Sequence, residues 1–245
     1  CVVCFVSSAV MELFIKIPFQ KQVLDGSIWK TVRNDFGESV RFIRRDKPVI
    51  GKTLVVICGI NLFLSSMINV ALPYLVTEVI ALDAAQANRF YGFAEGILAA
   101  GGLAGGVCAG VFAKKLSFRN AGMLIVIAAV CQFPIAASLA VFSSGMVNYL
   151  ILTAGCFAVM MCCTIFTIQM MTFFQTVTPS HLLGKVIAVI MTMSMCAQPL
   201  GNAMYGVLFE LCKGFEYAVV LSAGVVSLGI AMGMRGIFRG NSQDL

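Results

Sequence analysis

Glu95 is the residue that most invites a chemical role. It is the one ionisable side chain set well inside a long uncharged run, roughly 8 Å past Phe90 at the rise of a helix. If that run crosses a membrane, a carboxylate there costs at least about 3 kcal/mol and must face protein or a water-filled cavity. It then acts as a protonatable site or a contact for a cationic group, or else stands as a buried structural acid that reaches the interface. Asn61, Ser65 and Asn69 recur every fourth residue, on one face of a helix. Hydrogen-bonding side chains avoid lipid, so this face points into a bundle, to line a cavity or to bond neighbouring helices. Gln132, Gln169, Gln175, Gln198, Asn202 and Tyr205 pose the same choice.

Other chemistries find little support. The 10 cysteines all lie in or beside apolar stretches, where a thiol packs like a small hydrophobe. Cys1 and Cys4 form an isolated C-x-x-C pair. The single histidine, His181, has no acid within eight residues in sequence and reads as a solvated loop residue, with pH sensing as the minor alternative. No nucleophile motif is present, so no catalytic residue, metal or cofactor is expected. The glycine-rich stretch around Gly101 follows no strand, which removes a phosphate-loop reading.

The elements that must position these residues are apolar throughout. The chain has 245 residues, 60% hydrophobic and 11% charged, with a mean hydropathy of +0.95. A soluble domain carries about a quarter charged residues, so this chain cannot cover a water-facing surface. A cytosolic enzyme, a secreted disulfide scaffold and a disordered tail are excluded. Residues 53–76, 90–113, 121–142, 147–177, 186–209 and 217–234 are each about long enough to cross roughly 30 Å of hydrocarbon as a helix. Residues 1–19 read as the end of an earlier membrane helix, stopped near Pro18, so that an N-terminal part is expected to be missing. Residues 20–52 are a basic linker, with Trp29, Phe36, Val40 and Ile43 at helical intervals suited to a membrane surface. Residues 53–238 form the six-helix bundle and 239–245 a short tail.

Charge sets the orientation. With the linker cytoplasmic, 15 of the 17 Lys and Arg fall on the cytoplasmic side, leaving only Arg89 and Lys213 outside. That asymmetry also explains the net charge of +6 without nucleic acid or another acidic partner. Membrane lipid is the expected surrounding.

Packing and bending residues follow. Gly92 with Gly96, and Gly102, Gly106 and Gly110, make small-residue steps at spacing four, flanked by Gly101 and Gly105. Such steps let helix backbones approach closely, and a smooth contact is also where two halves could rock. Pro134 and Pro199 remove backbone donors inside spans and can kink them. Methionines such as Met160, Met170, Met191 and Met195 supply a soft apolar lining or ordinary core and lipid-facing surface.

Gly110-x-x-x-Lys114-Lys115-x-Ser117-x-Arg119 resembles the second copy of the loop signature of the major facilitator superfamily. Lys114 stands where that signature has an acid, so the acid's charge-relay role does not carry over. Pro179, Gly184, Lys185, Val186, Pro199, Leu200, Gly201 and Gly206 are similar to the loop and eleventh helix of the macrolide-efflux-like branch, which more often has Arg at the place of Lys185. Residues 71–76 resemble the outer end of its seventh helix. The resemblance implies an all-α membrane protein: the end of helix 6, the cytoplasmic linker and the C-terminal six-helix bundle of a twelve-helix fold. It further implies secondary active export of lipophilic or amphipathic small molecules, of drug or macrolide type, by alternating access and commonly coupled to protons. The missing six-helix half would complete the substrate cavity at the membrane midplane. A lipid flippase or siderophore exporter is the alternative within the superfamily, and a receptor or membrane enzyme a remote one. The expected location is the plasma membrane, multi-pass, of a bacterium. Lys185 reads as an orientation and gating residue.

Overall fold

A backbone buried in hydrocarbon has no water to bond, so each long uncharged run must satisfy its own N–H and C=O groups. The computed structural model describes residues 2–14, 28–80, 84–112 and 121–240, and among them regular structure is helical throughout. Six helices are long and apolar enough to cross a membrane: Pro48–Val79, Gln86–Val111, Ala121–Val141, Gly145–Val177, Leu183–Leu211 and Glu216–Gly236. They coincide with the six runs read from sequence to within five residues at each end; four are extended, the second is shifted toward its start and the third ends one residue earlier. Lys114, Lys115 and Arg119 lie outside the described residues.

The chain divides into two units, at Gly37 and Glu38. The first holds α1 (Val2–Leu13) and the start of α2 (Ile28–Arg41). Helix α1 is apolar and exposed at Phe5, Val6, Met11 and Phe14. Its 12 residues reach about 18 Å, short of a full crossing.

The second unit is the bundle. The expected linker helix is present as α2, and a π-helical turn, Phe42–Asp46, continues it. Phe42 and Ile43 are buried, whereas Phe36 is exposed. The first span consists of α3 (Pro48–Gly59), a π-helical turn (Ile60–Ser65), α4 (Ser66–Tyr74) and a second π-helical turn (Leu75–Val79). The second span is α5 (Ala84–Val111). The third is broken at Cys131 into α6 (Ala121–Val130) and α7 (Gln132–Val141). The last three are α8 (Gly145–Val177), α9 (Leu183–Leu211) and α10 (Glu216–Gly240).

Three glycine contacts fix how the spans pair. A Cβ on Gly105 would meet the Met161 carbonyl at 2.6 Å, and one on Gly101 the Phe157 Cα at 3.1 Å. Helix α5 therefore lies backbone to backbone along α8, running the same way. The Tyr149 hydroxyl ties the far end of this pair by donating to the Phe90 carbonyl at 2.9 Å. Gly122 accepts the Arg235 side chain, where a Cβ would sit 2.8 Å from its Cγ, so α6 and α10 pack antiparallel. Gly201 sits against the Leu62 carbonyl and Ser66, whose Cβ would be 2.6 Å from an added Cβ. Helix α9 thus runs parallel to the first span. The close backbone approach on α5 is at Gly101 and Gly105; of the expected Gly102, Gly106 and Gly110, only Gly102 meets α8, with an added Cβ 3.7 Å from the Met160 and Thr164 side chains. The buried face of α5 carries Ala94, Gly101, Gly105 and Ala109, and residues one position on are rotated by about 100°. Gly92, Gly96, Gly106 and Gly110 have nothing within 4 Å of an added Cβ.

Candidate ligand groove

The groove is built outward from the Gly201 contact. Because α9 approaches so closely, the buried Ser66 hydroxyl lies 2.7 Å from the Asn61 carbonyl and 3.0 Å from the Gln198 carbonyl. Its single proton can serve either helix. Asn61 already accepts the Ser66 N–H in the π-helical turn. This turn widens the first span where Asn61 and Ser65 stand, and such bulges cluster at functional sites.

Beside this contact two cavities meet. One, of about 250 Å³, lies toward the end where α3 begins, between Ile57, Phe166, Met170, Phe174 and Ser194. The other, of about 400 Å³, lies between Ser65, Asn69, Leu98, Met160 and Thr164. Asn61, Thr167 and Gln198 border both. Asn69 in turn borders a third space of about 550 Å³ at the opposite end, with Tyr74, Glu78, Glu210 and Lys213. Shared lining residues connect the three into a trough along the first span and α9, with α8 beside the two deeper cavities. No charged side chain among the described residues lines the two deeper cavities. The chain matches no family model, no curated protein and no solved structure.

Of the residues singled out from sequence, Asn61, Ser65, Asn69 and Gln198 come together in the trough. Ser65, Asn69 and Gln198 have no side-chain hydrogen-bond partner among the described residues, whereas the Asn61 amide donates to the Ile57 carbonyl at 3.2 Å. The others lie elsewhere. Gln132 is fully buried, beside Gly224 of α10, with neither amide atom bonded. Gln169 is buried in the same unsatisfied way on α8. Tyr205 is buried on α9, and neither it nor half-buried Asn202 borders the cavities. Gln175 and His181 are exposed.

Glu95 is exposed on α5, not enclosed, and its Oε1 accepts the Tyr91 hydroxyl at 3.1 Å. The tyrosine one turn away gives it a local partner. Pro134 falls in the first turn of α7, where its missing donor costs little, and the helix breaks just before it. Pro199 lies within α9, which continues unbroken. Pro73, inside α4, is a further proline beside the trough. Lys185 pairs with Glu38 at 3.0 Å, joining the start of α9 to α2.

Thr164, Thr167 and Ser194 are lining residues that the sequence reading passed over. The signal was present: Thr164, Thr167 and Met171 are spaced three and four apart, and Ser194 precedes Gln198 by four. A lone hydroxyl in an apolar helix bonds its own backbone so readily that its type alone does not mark a site.

Proposed function

We propose that this bundle is one wall of a membrane transport pathway for lipophilic or amphipathic small molecules. The observation that carries this reading is the trough itself. It follows one face of the bundle from Ile57 and Phe174 to Glu78 and Lys213, spanning most of the length of the first span. Apolar side chains dominate it, interrupted at intervals by neutral hydrogen-bonding groups. An amphipathic molecule can exchange partners along such a surface without meeting a full charge in the deeper cavities.

The remaining parts of the reading rest on sequence. The excess of Lys and Arg at the α2 end supports a cytoplasmic linker. Resemblance to the major facilitator superfamily supports a second bundle facing this one, alternating access, export and proton coupling. Glu95, set furthest from the span ends on the exposed face of α5, is a carboxylate available to a proton.

The test is accumulation of lipophilic dyes and macrolides in a drug-sensitive bacterial host expressing the full-length protein, with and without a protonophore. Wild type should hold a compound low, and the protonophore should abolish this. Gln198→Leu should raise accumulation several-fold at matched expression, and Glu95→Gln should do so only if that carboxylate carries the coupling proton. Unimpaired efflux by Gln198→Leu would remove the groove from the pathway. Absence of any wild-type efflux across the panel would favour a lipid or siderophore substrate.

A further inference from the structure

One wall of the groove has its hydroxyl protons already committed. The Thr164 and Thr167 hydroxyls donate to the Met160 and Cys163 carbonyls, each at 2.9 Å. The Ser194 hydroxyl donates to the Ile190 carbonyl at 2.7 Å. A hydroxyl has one proton and two lone pairs, so each of these oxygens retains acceptor capacity only. Turning one toward a ligand as a donor gives up its existing bond. Gln198, one turn from Ser194 on α9, and Asn69 on the first span have unbonded amides that offer both donors and acceptors.

Resting on the transport reading above, we propose that this wall selects ligands by the hydrogens they present. Thr164, Thr167 and Ser194 are specificity-determining contacts for an N–H or O–H group on an amphipathic ligand. A ligand whose polar atoms are all acceptors, or whose nitrogens are fully alkylated, makes no hydrogen bond to those oxygens. A ligand that presents a hydrogen therefore gains bonds there that such a ligand lacks. Ligand charge is secondary here, since the two deeper cavities carry none among the described residues. The three residues come from two helices, and Thr167 borders both deeper cavities, so a donor can engage the wall in either.

A matched pair of dyes tests this. The rhodamine methyl ester with free amino groups and its fully N-methylated counterpart share one aromatic body and one positive charge. They differ in N–H against N–CH3. Binding of each to the full-length protein in nanodiscs is read by fluorescence polarisation. The amino dye should bind about tenfold more tightly, as two further hydrogen bonds would give. Apolar transfer alone favours the methylated dye, so the expected order opposes hydrophobicity. Thr164→Val with Thr167→Val keeps the side-chain shape and should bring the ratio near unity, and Ser194→Ala should lower it in part. Unchanged affinity for the methylated dye in these variants shows that the fold and groove survive. Equal wild-type affinities, or a preference that persists in the double variant, overturn the donor selection and leave the groove intact. Failure of both dyes to bind wild type overturns the groove as a ligand site, and the selection with it.

Discussion

Single residues decide how closely the spans pack and what their contacts cost. Gly201 lets α9 reach the first span, and any Cβ there would press on Leu62 and Ser66 backbone and side-chain atoms that have no space to retreat. Gly201→Val should lower stability by at least about 1–3 kcal/mol, as overpacking does, and should disturb ligand binding in the groove. Thermal unfolding in detergent checks this, and an unchanged midpoint would show that α9 can shift without loss. Gln132 makes the opposite case. It is fully buried with both amide atoms unbonded, so Gln132→Leu should raise stability by roughly 1–3 kcal/mol. A fall instead would reveal an internal water on the amide. Both residues were visible in the sequence as unusual types in apolar runs. Which helix each one faces was not, because that depends on the rotation of neighbours far along the chain.

Elements show where pattern reading succeeds and where phase defeats it. Run length marked the six spans, since hydrocarbon thickness sets a minimum that few other segments reach. The glycine repeats on α5 identified a packing helix but not its face. Two interleaved stripes differ by one residue, and only the position of α8 selects Gly101 and Gly105. The π-helical turns in the first span had no sequence signature; at the first of them the Ser66 N–H and hydroxyl both meet the Asn61 carbonyl, and the hydroxyl also reaches the Gln198 carbonyl. At the ends of the spans, exposed ion pairs hold little energy. Lys185 with Glu38 is partly exposed on both sides, so Glu38→Gln should change stability by no more than about 1 kcal/mol. Any larger effect would make this pair a latch between α2 and α9. Glu210, by hydrogen bond and charge, raises the pKa of the Lys213 ammonium, with smaller contributions from Tyr74 and Glu78 against a slight desolvation. Whatever this pair contributes is present at neutral pH and is lost as pH rises through the lysine's folded value. In alkaline titration the stabilities of wild type and Lys213→Gln should therefore differ by a constant offset below pH ~10 and converge above it.

At the scale of the molecule, the apolar exterior explains the composition. Leu103, Val107, Val111, Leu200 and Leu211 are exposed in the bundle, as surfaces facing lipid or another apolar partner must be. The distribution of Lys and Arg predicts which end faces the cytoplasm. Trypsin should cut the linker near Arg44 and Arg45, both exposed, in inverted membrane vesicles and not in right-side-out ones. Cleavage only in right-side-out vesicles would reverse the orientation, and export would have to be argued afresh.

The amino-acid sequence by itself determined that the chain is helical, how many spans it has, where the linker lies and which end is basic. These follow from local quantities: run length, apolar content and charge position. It also marked Asn61, Ser65 and Asn69 as one face, because helical periodicity is local too. The tertiary structure alone decided that Gln198, Thr164, Thr167 and Ser194 join that face, that Gln132, Gln169 and Tyr205 are buried away from it, and that Glu95 stands exposed beside Tyr91. The reason is physical. A polar side chain in an apolar helix is equally consistent with a cavity, an interhelical bond or a buried orphan until the neighbouring helices are in place. Here a glycine on α9, more than a hundred residues from the first span, put them there.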